Sequence, residues 1–163
     1  MDLTSVFIHI PRTGGVALKW ALNDKIQNLE YINAQSHAPA SERNLEGVYS
    51  FTIIRNPWDR AVSLYHHHKT ALSFAEWFTK TDLDQASFFM QDDIILVNDV
   101  FRFESLVQQL PELCERAGWP QLTLNHVNAS LREPYQVYYT GRVRDMANEA
   151  FGDFAIRHNY RFD

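Results

Sequence analysis

Cysteine is nearly absent. Cys114 is the only one in 163 residues, so neither a disulfide framework nor a cysteine-built zinc site can form within one chain. Its neighbours Leu110, Leu113 and Ala117 recur at helical spacing, which reads the thiol as a small buried hydrophobe. Long apolar runs are missing too. The longest are strand-sized, as in Val6 to Ile10 broken only by His9, too short for a membrane-spanning helix. The opening Met-Asp-Leu-Thr-Ser lacks the basic n-region of a signal peptide, and the expected compartment is the cytoplasm. Positive charge is short: 15 Lys+Arg stand against 20 Asp+Glu for a net −5, which argues against a nucleic-acid partner held by bulk electrostatics. Any anion must therefore bind at a local cluster. No repeat, linker or low-complexity tract interrupts the chain, and its 45% hydrophobic content suffices for one ordinary core, so residues 1–163 are expected to form a single domain.

Val6 to Ile10 reads as a buried strand that Pro11 stops, since proline has no N–H for a ladder. Thr13-Gly14-Gly15 then turns into a helix marked by Ala17, Leu18, Ala21 and Leu22. A weaker strand is expected at Leu29 to Ile32, a helical turn around Ala38 to Asn44, and a clear strand at Val48 to Ile54. Asn56 as N-cap, Pro57 at the first helical position and Asp59 in the first turn start a helix running to His68 or Thr70. Ser73-Phe74-Ala75-Glu76 has capping-box spacing. A fourth strand is expected at Val100 to Phe103, then a helical stretch Ser105 to Ala117 that Pro111 should break, and a last helix Arg142 to His158. Strands alternating with helices imply an α/β fold with a central parallel sheet of about four to five strands flanked by helices.

Two segments carry chemistry. Ile10-Pro11-Arg12-Thr13-Gly14-Gly15 lies at a strand-to-helix junction, where glycines let the backbone approach an anion and the helix N-terminus adds about half a positive charge. The plainer alternative is a glycine turn with a solvated arginine. It is not a Walker A loop, because G-x-x-x-x-G-K-S/T occurs nowhere. The second segment runs from Arg55 to Tyr65, again from a strand end into a helix. Arg55 leaves the carboxyl edge of the sheet, where open α/β folds bind ligands. Ser63 sits two turns along the helix, and an arginine fork with a hydroxyl suits a phosphate monoester. The alternative is an Arg55–Asp59 ion pair with Ser63 merely packed.

Together, and in this order, the two segments resemble the PAPS-dependent carbohydrate sulfotransferases of the Golgi and heparan 2-O-sulfotransferase kind, PAPS being 3′-phosphoadenosine 5′-phosphosulfate. That family's first element reads like Ile/Val-Pro-Lys-Thr-Gly-Gly-Thr-Ser and its second like Arg-Asn/Asp-Pro-x-x-Arg-x-x-Ser-x-Tyr/Phe. The second matches through Arg55, Asn56, Pro57, Arg60, Ser63 and Tyr65. The likeness extends to Phe101 to Glu104 and to residues 125–162, leaving residues 70–98 least recognisable. It implies a P-loop-NTPase-like sulfotransferase fold. It implies further that Pro11, Arg12, Thr13, Gly14, Gly15 and Val16 hold the 5′-phosphosulfate, that Arg55 and Ser63 hold the 3′-phosphate, and that Arg142, with Arg144 beside it, adds a phosphate contact. Two departures matter: Arg12 stands where the family has lysine, and Val16-Ala17 replaces a Thr-Ser pair, leaving the Thr13 hydroxyl and backbone amides at the 5′ end.

An attacking hydroxyl must lose a proton, and a histidine near pKa ~6.5 suits that task. His37, in Gln35-Ser36-His37-Ala38-Pro39, resembles the family's catalytic histidine in position. The expected reaction is sulfuryl transfer from PAPS to an acceptor hydroxyl, a glycan by the resemblance, with PAP as product, His37 as base and Arg12 stabilising charge on the bridging oxygen. A sulfuryl group carries less charge than a phosphoryl group, so no metal is called for. His66, His67 and His68 are consecutive on a helix and cannot converge on one ion. His9 reads as core or a pocket wall. Tyr135, Tyr138 and Tyr139 either border an acceptor cleft or pack. Two rivals stay open: a PAP- or glycan-binding domain without turnover, and a phosphoryl transferase, which the missing Walker lysine disfavours.

Overall fold

Ser5, Val6, Phe7 and Ile8 are all buried, so both faces of the first strand are covered, as parallel sheets require. A computed structural model of the chain describes residues 5–22, 29–32, 39–124 and 132–163. Over those residues the chain forms two compact units, Met1–Ile54 with Gln85–Ala129, and Arg55–Asp84 with Ser130–Asp163.

The first unit is α/β. Strand β1 is Ser5–Ile8, helix α1 Gly15–Leu22, strand β2 Leu29–Ile32 and strand β3 Tyr49–Ile54. Strands β4 (Met90–Gln91) and β5 (Ile94–Ile95) make a separate hairpin, followed by β6 (Asp99–Arg102) and a helix that also belongs to this unit, Leu106–Ala117. The main sheet has four parallel strands in the order β2-β1-β3-β6. Register places Phe7 beside Phe51 and Ile53 beside Phe101, and side chains that share a row point the same way. That face carries the core. Phe7 stacks on Phe51 at 4.9 Å, and Phe101 meets Phe51 edge-on at 6.1 Å. Leu18 and Leu22 from α1 and Leu106, Leu110, Leu113 and Cys114 from the later helix complete the cluster. Each such side chain contributes about 1.5–3 kcal/mol on burial.

Pro111 was expected to break the helix at Ser105 to Ala117, and it does not: Leu106–Ala117 is continuous. Pro111 and Val107, whose carbonyl loses its partner, both face solvent, Val107 at 55% exposure. Water can hydrate that carbonyl, while the buried stripe Leu106, Leu110, Leu113, Cys114, Ala117 holds the opposite face. The β4–β5 hairpin was not foreseen. Its turn residues Asp92 and Asp93 both have positive φ, 49° and 63°, the signature of a type I′ turn.

The second unit is helical. Helix α2 is Pro57–His68 and α3 is Phe74–Phe78. With the helix Leu106–Ala117 counted as α4, the last is α5, Arg142–Arg157. Asn56 caps α2 through its Oδ1, which accepts from the amides of Trp58 (3.1 Å) and Asp59 (3.2 Å). The Ser73–Glu76 capping box is present in both directions. Here the core is aromatic: Tyr65, Phe74 and Trp77 cluster near Tyr138 and Tyr139, and Trp58 meets Phe151 and Phe162 edge-on. Among the described residues no helix is long and apolar enough to cross a membrane.

Candidate functional site

The first segment leaves the carboxyl end of β1. Thr13 is fully buried and its hydroxyl donates to the Ile10 carbonyl at 2.8 Å, so the hydroxyl expected at the 5′-phosphate serves the turn instead. Only the backbone of Thr13 remains for a ligand. Gly14 takes φ 88° and Arg12 φ 68°. For arginine that left-handed conformation costs about 1–2 kcal/mol. The other positive-φ residues that are not glycine serve local backbone needs: Lys69 ends α2, Asp92 and Asp93 make the hairpin turn, and Asn159 follows α5. The carbonyl of Gly14 accepts from Leu18 N–H at 3.2 Å, which makes Gly14 the residue before the first turn of α1. The opening amides of that turn have no carbonyl one turn earlier to bond. Pro11 and Arg12 are half-buried, while Val16 is 54% exposed.

The second segment begins where β3 ends. Arg55 donates through Nε (2.8 Å) and Nη2 (2.5 Å) to Asp59 Oδ2. The ion pair weighed from sequence is therefore present. What sequence did not disclose is Arg132, whose Nη2 reaches the other carboxylate oxygen of Asp59 at 2.5 Å. Side-chain exposures of 12% for Arg55, 23% for Asp59 and 8% for Arg132 place the group mostly out of water. Two guanidiniums share this one carboxylate, and each guanidinium has five N–H donors in a fixed fork. Ser63 is 2% exposed.

Arg60 is also buried, at 3% exposure, and donates to the Leu83 carbonyl at 3.0 Å. Burial pulls its pKa down to about 10, opposed by Asp82 and Asp84. Its role is to hold the 79–84 loop against α2. The tyrosines pack: Tyr139 donates to the Trp58 carbonyl at 2.8 Å and Tyr135 to the Asp163 carbonyl at 2.9 Å, while the Tyr138 hydroxyl lies 2.7 Å from His66 Nε2. Trp77 Nε1 donates to His68 Nδ1 at 2.9 Å, so the consecutive histidines do point to different partners. Arg142 is exposed at the start of α5, and Arg144 lies 3.4 Å over the Phe162 ring.

His37 lies outside the described residues, as does His126. Among the described residues no group of three or more His, Cys, Asp or Glu side chains comes together as a metal site. Sequence reasoning missed Arg132, which is 73 residues from Asp59, and no local pattern announces such a pair. His9, read as core or a pocket wall, is buried at 6% exposure, and its ring lies beside Gly15. Comparison with known proteins finds no matching protein-family model and no matching curated protein.

Proposed function

We propose that this chain is a PAPS-dependent sulfotransferase that transfers a sulfuryl group to a hydroxyl of a carbohydrate acceptor and releases PAP. The strand order carries the reading. In the order β2-β1-β3-β6 the chain first steps from β1 to one side and then returns to the other, so the topological switch point lies between β1 and β3, and open parallel sheets bind ligands at the carboxyl ends of such strands. The glycine loop follows β1 and the Arg55 segment follows β3. The sheet is on this reading the core of a P-loop-NTPase-like sulfotransferase fold.

The residues present suit the donor's charges. At the β1–α1 loop, Arg12 and the N-terminus of α1 would hold the 5′-phosphosulfate, and the strained left-handed conformation of this arginine supports a role for its charge. The Arg55–Asp59–Arg132 group would hold the 3′-phosphate, the guanidinium fork being suited to that oxyanion. In the transfer, the acceptor oxygen bonds to sulfur as the bond from sulfur to the 5′-phosphate oxygen breaks. The acceptor proton passes to His37, and the charge on the departing oxygen is met by Arg12 and the backbone amides.

A second reading, a PAP-binding domain without turnover, is favoured by one observation: the only hydroxyl in residues 12–17, that of Thr13, is turned to Ile10. Incubation with labelled PAPS and a glycan panel separates the two. Transfer is expected, with His37→Ala keeping PAP affinity and losing about 10²-fold or more in turnover. PAP binding without any transfer would leave the second reading, and no PAP binding would end both.

A further inference from the structure

The glycine loop is gripped by two aromatic rings. A Cβ built at Gly15 would lie 2.2 Å from His9 Cδ2 and 2.3 Å from His9 Nε2, so the nitrogen-bearing edge of the imidazole is pressed flat against the first residue of α1. One residue earlier, a Cβ at Gly14 would lie 2.8 Å from Phe103 Cδ2. His9 is only 6% exposed and is backed by Phe7, ring centroids 5.5 Å apart, which itself stacks on Phe51. Thr13 ties the same loop to the Ile10 carbonyl. The turn is thus fixed at three consecutive residues, and at two of them by rings that leave no room for a side chain.

We infer that His9 is a positioning residue for the β1–α1 loop: its ring occupies the volume a side chain at residue 15 would need and so sets the first turn of α1. The inference rests on the donor reading, which assigns the opening amides of that turn to the 5′-phosphosulfate. A helix N-terminus binds an anion only when its amides are held in place as the ligand arrives. The loop's glycines alone are free to move. Contact with a ring anchored on the sheet removes that freedom, and the polar edge of the imidazole is the part that faces the helix start.

Calorimetry with PAP on the full chain, across Gly15→Ala, His9→Ala and the double variant, tests it. Gly15→Ala is expected to weaken PAP about tenfold or more in the wild-type background. In the His9→Ala background the same change is expected to cost less than about twofold, because the colliding ring is gone. Equal losses in the two backgrounds, with wild type binding PAP, overturn the inference and leave the donor reading standing. A wild-type chain that binds no PAP overturns the donor reading, and this inference with it. Should Gly15→Ala not fold, the wild-type chain still decides: the ring resonances of His9 in ¹⁵N-histidine-labelled protein are expected to move on saturation with PAP, and resonances that stay put overturn the role.

Discussion

Asp99 in the first unit and Asp59 in the second each take hydrogen bonds from two side chains, and the partners differ in a way that separates structure from candidate chemistry. Asp99 accepts from Tyr49 at 2.7 Å and, with both oxygens, from Arg116 at 2.7 Å. One carboxylate meets one guanidinium, the charges cancel, and Arg116 is 49% exposed. Such a pair contributes little and calls for no ligand. Asp59 instead faces two guanidiniums, each far more buried, where the polypeptide leaves β3. The first unit places its candidate chemistry elsewhere, in backbone clamped by rings at residues 14 and 15. The candidate group is backbone in one unit and side chains in the other.

Damage to the clamp is expected to be the largest effect. Gly14→Ala meets both a positive φ and a ring atom at 2.8 Å, whereas Gly47, with φ 74°, has nothing within 4 Å of its added Cβ. Strain alone should cost Gly47→Ala about 1 kcal/mol. Adding overpacking should bring Gly14→Ala to about 2–4 kcal/mol, read as the shift of urea midpoint at constant slope. Equal losses would mean that the Phe103 ring yields freely and that the loop is not clamped.

Next comes the contrast between the two carboxylates. Asp59→Asn removes the carboxylate charge that two poorly solvated guanidiniums share and is expected to cost about 1–3 kcal/mol. Asp99→Asn should cost about 1 kcal/mol or less, because Arg116 is half in water and an amide oxygen can still accept from Tyr49. Equal losses by chemical denaturation would erase the distinction drawn between the two groups.

The parts of this molecule that sequence discloses are those made by neighbours along the chain. Alternating β-rich and helical stretches gave the parallel α/β sheet, Asn56-Pro57 located the start of α2, and Ser73 with Glu76 located that of α3. The glycine loop was visible for the same reason, as six consecutive residues. Pro111 misled because its effect depends on which face it occupies, and the covering of the opposite face by the sheet is a tertiary fact. Arg132 and the His9–Gly15 contact were hidden because they depend on chain folding back on itself, in one case over 73 residues. Thr13 was read as a ligand hydroxyl through the family resemblance, which supplies a hydroxyl but not the carbonyl three residues back to which it turns.

Alkaline titration offers the finest test, since a tyrosine accompanies each carboxylate. Burial pushes the Tyr139 phenol well above its ordinary range, with Asp59 and Tyr135 adding to the effect. Tyr49 is raised as well, by burial and by its hydrogen bond to Asp99, while Arg116 works against the rise. Both folded-state values lie above those of the unfolded chain, so the stability they contribute is complete below about pH 10 and is lost as pH climbs from there towards the folded value. For Tyr139, which hardly ionises while folded, the loss should reach about 1.4 kcal/mol at pH 11, and Tyr139→Phe should remove that slope. Tyr49→Phe should remove a smaller one, because its ring is only half-buried and water screens the neighbouring charges. Denaturation midpoints at pH 9 and pH 11 measure both. If the two variants flatten the profile equally, the deeper burial of Tyr139 does not set its phenol apart from that of Tyr49, and the contrast drawn between the surroundings of the two carboxylates falls.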